Sequence, residues 1–335
     1  MRERNHTVDA LRAFAALWVC LFHFTVATGV GAYGYLGVTI FFVISGFIVP
    51  YSMVRGGYTI AAWPTFMLKR LARLEPPYLA SLALILALGA FDMFRGFPQE
   101  WTAAQIAGHL GYANAFLGLP WLNGPYWSLA VEFQFYILMG LALPLLMRAS
   151  TPARRLACLA LASCVPLLLP GRSNATLLPF LPVFAAGTLT FLFATNLIGR
   201  KSYCAALAVL AGILIKTSDT GTALATTGTA IVIVTVRIPR VAPIAWLGAI
   251  SYSLYLLHVP IGYRLMHMIR RLSDGEVGPT LLIVAALAAS IAGAALLHRF
   301  VEQPSLRLAS RIGYRATRSE SPLPASAPGE RVTAD

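Results

Sequence analysis

Three ionisable side chains lie inside long apolar stretches of this sequence, and their chemistry suits proton transfer. His23 lies in RAFAALWVCLFHF, Glu132 in YWSLAVEFQF and His258 in SYSLYLLHVP. A charged side chain near the centre of a bilayer costs at least about 2.5 kcal/mol, so each needs a partner or a function. Histidine titrates near neutral pH, and a histidine beside a carboxylate is a common general base. We expect the three to converge on one buried site, with separate interhelical hydrogen bonds as the alternative.

Arg12 precedes His23 in the same apolar stretch. Their spacing of eleven residues, at about 100° per residue, completes three turns plus about 20°, so both project from one helix face. The two positions are about 16 Å apart along the helix axis, too far for direct contact. Asp9 lies one turn before Arg12 and can pair with it, so a simple ion pair reaching the headgroups is the alternative to a catalytic role.

A basic segment, FMLKRLARLEPPY, contains a second candidate site. Arg70 and Arg73 are spaced i, i+3, so they share a helix face and could bind phosphate groups together. The alternative is a basic amphipathic segment that lies on anionic lipid.

Candidate nucleophiles and metal ligands are few. Ser45 and Ser128 could approach His23 in space, although helix packing is the simpler explanation for both. The four cysteines occur singly, at Cys20, Cys158, Cys164 and Cys204. Their spacing fits neither a metal site nor a disulfide framework, so we expect no bound metal.

The elements that carry these residues are predicted to be membrane-spanning helices. The chain has 335 residues, of which 58% are hydrophobic and 12% charged, whereas soluble domains have about 25% charged residues. Apolar runs of about 18 residues or more recur along its length. We therefore predict an all-α polytopic membrane protein with about ten transmembrane helices. The predicted spans are residues 8–28, 33–53, 77–94, 126–147, 156–170, 177–196, 202–217, 221–237, 244–263 and 279–298.

The distribution of charge predicts the orientation of these helices. The net charge is +13, but the basic residues form short clusters between apolar runs rather than one patch, so nucleic acid is not an expected partner. Placing both termini in the cytoplasm puts most of the 26 lysines and arginines on the cytoplasmic side. Arg264, Arg270 and Arg271 fall on the outer side in this orientation, against the rule that basic residues favour the cytoplasmic side.

The predicted domain organisation is simple. Residues 1–312 form one membrane domain, and residues 313–335, rich in Pro, Ser, Ala and charge, form a disordered cytoplasmic tail. Residues 54–76 are expected to be a cytoplasmic connector, and residues 95–125 an outer loop.

Six stretches of the chain resemble the membrane-bound acyltransferase family 3, whose members O-acylate sugars and other hydroxyl acceptors. In order, they are VDALRAFAALWVCLFHF, YLGVTIFFVISGFIVPYSM, FMLKRLARLEPPYL, YWSLAVEFQFYIL, AISYSLYLLHVPI and HRFVEQP. They cover nearly the whole membrane portion, from residue 8 to about residue 305. The resemblance also implies about ten transmembrane helices.

The resemblance implies the substrates and the cellular location. The donor would be a cytoplasmic acyl-CoA, usually acetyl-CoA, used as a substrate rather than held as a bound cofactor. Arg70 and Arg73 would contact the phosphates of the donor. Arg12, at the inner end of the first helix, would also bind the donor. The acceptor would be a carbohydrate or a glycosylated molecule. The protein would be a multi-pass protein of the bacterial inner membrane, with polysaccharide biosynthesis or export proteins as partners.

The resemblance also implies roles for the buried residues. Arg12 and His23 match the first-helix pair of the family, and Glu132 matches the carboxylate of the W-S-L-x-x-E stretch, which begins at Trp127. We expect His23 to act as general base on the acceptor hydroxyl, or as a transient acyl carrier. Glu132 would orient His23 or stabilise its charge, while His258, Asp9, Trp127 and Ser45 would support the site.

A proton-coupled transporter of a small solute or glycan is the alternative function. Buried His, Glu and Arg side chains also form proton relays in transporters. The sequence shows no paired broken helices and no internal repeat of the kind found in many transporters. A non-catalytic scaffold would leave the buried charges unexplained.

Overall fold

The computed structural model describes residues 5–25, 29–89, 101–168, 176–273 and 275–314. Within these ranges the regular structure is entirely helical, which confirms the all-α prediction. The predicted disordered tail lies outside the described residues from residue 315 onward.

The described part of the chain contains thirteen α-helices. They are α1 (His6–Phe24), α2 (Leu36–Arg55), α3 (Trp63–Gly89), α4 (Ala103–Leu110), α5 (Tyr126–Arg148), α6 (Pro152–Leu168), α7 (Leu181–Ala194), α8 (Arg200–Thr217), α9 (Thr220–Thr235), α10 (Ala242–Leu257), α11 (Arg264–Leu272), α12 (Pro279–Leu297) and α13 (Gln303–Arg311). A π-helical turn, His258–Tyr263, joins α10 to α11, and a second, His298–Glu302, joins α12 to α13.

Six helical stretches among the described residues are long and apolar enough to cross a membrane. They are His6–Phe24, Gly31–Arg55, Ile60–Gly89, Tyr126–Arg148, Ala242–Leu272 and Pro279–Arg311. Leu178–Ala194 and Thr220–Thr235 are apolar but shorter. The prediction of a membrane protein is supported, whereas ten crossings and two cytoplasmic termini stay predictions.

Two predicted connectors contain helix. Helix α3 begins at Trp63, so much of the expected connector 54–76 belongs to this helix, which continues through Pro76 and Pro77. The hydroxyl of Tyr252 on α10 donates to the carbonyl of Leu74, 2.9 Å away, next to this proline pair. Helix α4 lies in the expected outer loop.

Helix α4 has a sequence signal at its start. Thr102 accepts a hydrogen bond from the backbone N–H of Gln105, and the Gln105 side chain accepts one from the Thr102 N–H. This reciprocal pair is a capping box, which satisfies backbone donors that a helix start leaves open.

The chain divides into two compact units. The first contains Met1–Ile40, Leu68–Phe133 and Arg237–Arg311, and the second contains Phe41–Met67, Gln134–Val236 and Ile312–Asp335. In the first unit, α10 approaches α1 closely at Gly248, where an added Cβ would overlap the backbone of Asp9. Small residues allow this close approach of membrane helices.

The second unit has an aromatic core. Phe184 on α7 stacks on Phe135 with ring centroids 4.1 Å apart, and on Phe42 with centroids 4.6 Å apart. Gly46 on α2 lies against the backbone of α7 at Phe184 and Gly187. All predicted site residues except Ser45 lie in the first unit.

Candidate active site

Two histidines from separate helical segments meet in the first unit. Nδ1 of His23, in the last turn of α1, lies 3.2 Å from Nε2 of His258, the first residue of the π-helical turn after α10. Their ring centroids are 4.8 Å apart at an interplanar angle of 61°. His258 has no exposed surface, and His23 is half-buried. The expected proximity of these two side chains is therefore observed.

Backbone carbonyls hold both rings. Nδ1 of His258 lies 2.8 Å from the carbonyl oxygen of Tyr255 and 3.3 Å from that of Leu254. Nδ1 of His23 lies 3.0 Å from the carbonyl oxygen of Val19, one turn earlier on α1. Because a carbonyl only accepts, each Nδ1 is placed to donate.

A cluster of charged residues surrounds Arg12, nearer the start of α1. Arg12 interacts electrostatically with Arg73 of α3, a like charge, and with the carboxylates of Glu302, Asp9 and Glu132. Asp9 is 7% exposed. Arg12 thus interacts with a second guanidinium group and with three carboxylates, and the attraction between Asp9 and Arg12 is one of several such interactions.

Sequence reasoning assigned no role to the carboxylate of Glu302, which lies in HRFVEQP. Glu302 is 3% exposed, and its Oε2 accepts from the Ser253 hydroxyl at 2.6 Å. The same oxygen lies 2.8 Å from Nδ1 of His298. Ser253 and His298 both bond to the same carboxylate oxygen. The histidine therefore does not lie between the serine and the carboxylate, as it would in a serine–histidine–carboxylate relay. The sequence signals were the place of Glu302 in one of the six family-like stretches and its spacing of four residues from His298.

A hydrogen-bond network between α5 and α10 includes Tyr255, on which the charge of Glu132 acts. The hydroxyls of Ser128 and Tyr255 are 2.6 Å apart, and both contact the carbonyl of Pro125, at 3.0 and 3.1 Å. The charge of Glu132 acts on Tyr255 as well as on Arg12. The expectation that Glu132 orients His23 or stabilises its charge stays a prediction.

The other predicted residues occupy defined positions. Arg70 is only 8% exposed on α3, so it lies inside the first unit rather than flat on a lipid surface. Trp127 is half-buried in the first turn of α5. Ser45 is half-buried on α2, in the second unit.

A third buried histidine lies outside the membrane-spanning segments. His109 on α4 has no exposed surface; its Nε2 accepts from the backbone N–H of Leu122 at 3.1 Å, and its Nδ1 lies 2.9 Å from the hydroxyl of Tyr78. Burial lowers the pKa of His109 from 6.5 to about 4, because the charged form is poorly solvated there. His109 is therefore a neutral, structural histidine at pH 7.

Comparisons with known proteins agree on one family. A model of the acyltransferase domain family matches residues 5–299. A protein named membrane-bound transacylase BcsY, from Komagataeibacter xylinus, is 31% identical over 306 residues, which cover 77% of this chain and 73% of that protein. The O-acetyltransferase OatA of Staphylococcus aureus is 28% identical over 173 residues, covering 48% of this chain and 28% of OatA. No solved structure matches this chain.

Proposed function

The chain belongs to acyltransferase family 3, and from this we propose a specific reaction for it. The proposed reaction moves an acyl group, most simply acetyl, from acyl-CoA to a hydroxyl of a carbohydrate or glycosylated acceptor. The observation that carries the proposal is the contact of 3.2 Å between the buried His258 and His23, on two helical stretches that are long and apolar enough to cross a membrane. Such a pair supplies a positioned base inside the membrane domain.

His23 acts as the general base in this proposal. Its ring takes the proton of the acceptor hydroxyl while the hydroxyl oxygen attacks the thioester carbonyl carbon. The C–S bond then breaks, and His23 returns the proton to the sulfur of CoA. The pH range of histidine suits both transfers.

The donor is proposed to bind at the other end of α1. Arg12 and Arg73 are like charges close enough to interact, an arrangement that an anionic ligand would stabilise. The carboxylates of Glu302, Glu132 and Asp9 offset part of the positive charge of Arg12. Arg12 and His23 are about 16 Å apart along the helix axis, and the extended arm of acyl-CoA would span that distance.

The names of the relatives support O-acyl transfer, and the acceptor stays part of the proposal. One relative is named a transacylase and another an O-acetyltransferase. This chain covers 28% of the second protein, so that protein as a whole says little about the acceptor used here. We propose a bacterial inner-membrane location, which is supported by the six long apolar helical stretches and by a relative named as membrane-bound.

The test is an acetyl-transfer assay on purified protein in detergent or liposomes. Labelled acetyl-CoA is supplied with candidate glycans, and His23→Ala is compared with His267→Ala, a half-buried histidine on α11. We expect His23→Ala to lower acceptor-dependent CoA release by 10²-fold or more, as loss of a general base does, and His267→Ala to retain it. Undiminished transfer in His23→Ala would remove the assigned base, and solute flux without CoA release would favour the transporter.

A further inference from the structure

The histidine pair has a direction, which follows from its hydrogen bonds. Nδ1 of His258 faces the Tyr255 carbonyl at 2.8 Å, so this nitrogen holds the hydrogen. In a neutral ring, Nε2 of His258 then carries a lone pair and can only accept a hydrogen bond. That lone pair faces Nδ1 of His23 at 3.2 Å.

His23 is therefore constrained from two sides. Its Nδ1 faces two acceptors, the Val19 carbonyl at 3.0 Å and Nε2 of His258. A lone pair on this nitrogen would meet two other lone pairs, so Nδ1 must hold the hydrogen. The remaining nitrogen of a neutral His23 ring, Nε2, is then the basic one.

The backbone around His258 explains why its ring is fixed. Pro260 has no N–H, so it cannot bond the carbonyl of Leu256 four residues earlier. The side-chain amide of Asn123 donates to that carbonyl instead, at 3.3 Å. The π-helical turn also places Nδ1 of His258 against the Tyr255 carbonyl.

Packing against neighbouring helices keeps this turn in place. Gly262 lies so close to α12 and α1 that an added Cβ would overlap the Ser290 hydroxyl and the ring of Phe24. The Tyr255 hydroxyl is bonded to the Ser128 hydroxyl at 2.6 Å. The ring of His258 is therefore oriented by backbone and packing rather than by another charged group.

Few titratable groups face the pair in the described structure. The Tyr255 ring lies 5.7 Å from that of His258, and Glu132 acts electrostatically on Tyr255. The rings of His23 and Phe22 have centroids 5.1 Å apart at an interplanar angle of 88°, and the Tyr35 ring centroid lies 6.3 Å from that of Phe22.

We propose that His258 is a positioning residue that fixes His23 as its Nδ1–H tautomer, so that Nε2 of His23 is the atom that takes the acceptor proton. This inference rests on the proposed role of His23 as base. When Nε2 of His23 receives the proton, Nδ1–H keeps its bond to Nε2 of His258, which stabilises the new positive charge. His258 itself neither gains nor loses a proton, and the proton on His23 later passes to the sulfur of CoA.

The kinetic test compares two replacements of His258. His258→Gln keeps an acceptor near the position of Nε2, whereas His258→Leu keeps comparable bulk without an acceptor. We expect His258→Leu to lower kcat about 10- to 100-fold, the value of one charge-assisted hydrogen bond. The acidic limb of the plot of kcat/KM against pH should also shift to lower pH by about one unit in this variant. His258→Gln should keep the wild-type limb and most of kcat.

Protein labelled with ¹⁵N-histidine gives a second readout that needs no activity. The imidazole ¹⁵N signals of His23 are identified as those missing from the spectrum of His23→Gln. At pH 8 their chemical shifts should show a protonated Nδ1 and an unprotonated Nε2. The opposite tautomer would overturn the proposal, as would identical pH profiles for the Leu and Gln variants. Full activity of His23→Ala would instead remove the base assignment while the tautomer could still be read.

Discussion

Because His109 is buried in its uncharged form, the free energy of unfolding should depend measurably on pH. The perturbation is protonation, which removes the lone pair that accepts the Leu122 N–H and places a charge in a site without exposed surface. The pKa of His109 is about 4 in the folded protein and 6.5 without burial. Between these values the unfolded chain binds a proton that the folded chain does not, so stability falls as pH falls.

The magnitude follows from the same two values. Each pKa unit corresponds to 1.36 kcal/mol, so about 2.5 units give about 3 kcal/mol. This contribution is complete above about pH 6.5, decreases by about 1.4 kcal/mol per pH unit below that, and is lost near pH 4. It concerns a group with no exposed surface, where solvent screening is small.

The assay compares the wild type with His109→Gln in detergent. The glutamine oxygen can accept from the Leu122 N–H but does not titrate, which makes this variant a matched control. Denaturant unfolding is followed by tryptophan fluorescence from pH 7.5 to 4.5, and Trp121, whose ring lies 5.4 Å from His109, is a local reporter. The free energy of unfolding of the wild type should fall relative to the variant by about 2 to 3 kcal/mol. Curves that stay parallel over this range would refute the argument.

Two further predictions concern the charged cluster and the helix contact near it. Arg73→Gln should raise KM for acyl-CoA about tenfold or more with a smaller change in kcat, because it removes a positive charge beside Arg12. Lys69→Gln on the same helix is the control. Equal KM values for the two variants would argue against the donor site. Gly248→Leu should abolish the monodisperse gel-filtration peak, because its side chain would overlap the backbone of Asp9; a normal peak with unchanged thermal stability would contradict this packing.

The sequence was informative where a single physical rule dominates. Long apolar runs predicted the positions of the helices, since a bilayer demands that length. The depth of His23 and His258 in two such runs indicated that they could meet, and the structure brings them to 3.2 Å. Their catalytic roles stay predictions.

Other features depend on partners that are remote in sequence. The first part of α3 was assigned to a connector because Arg70, Arg73 and the following prolines are typical of the residues just before a span. Arg70 is instead buried within the unit, and the helix continues. The bond from Ser253 to Glu302 could not be predicted because the two residues lie 49 positions apart, whereas His298, the other partner, is only four residues away. Helix α4 was missed although Thr102 and Gln105 carry a capping-box pattern.

The two π-helical turns, which begin at His258 and His298, have a consequence for comparing related sequences. A π-helical turn holds one residue more than a regular turn, so the helix beyond it is rotated by about 100° about its axis. Deleting one residue within His258–Tyr263 would restore a regular helix and turn Arg264 to a different face. A one-residue gap in this stretch of an alignment therefore records a change in which side of α11 faces its neighbours, and not the drift in length common in loops.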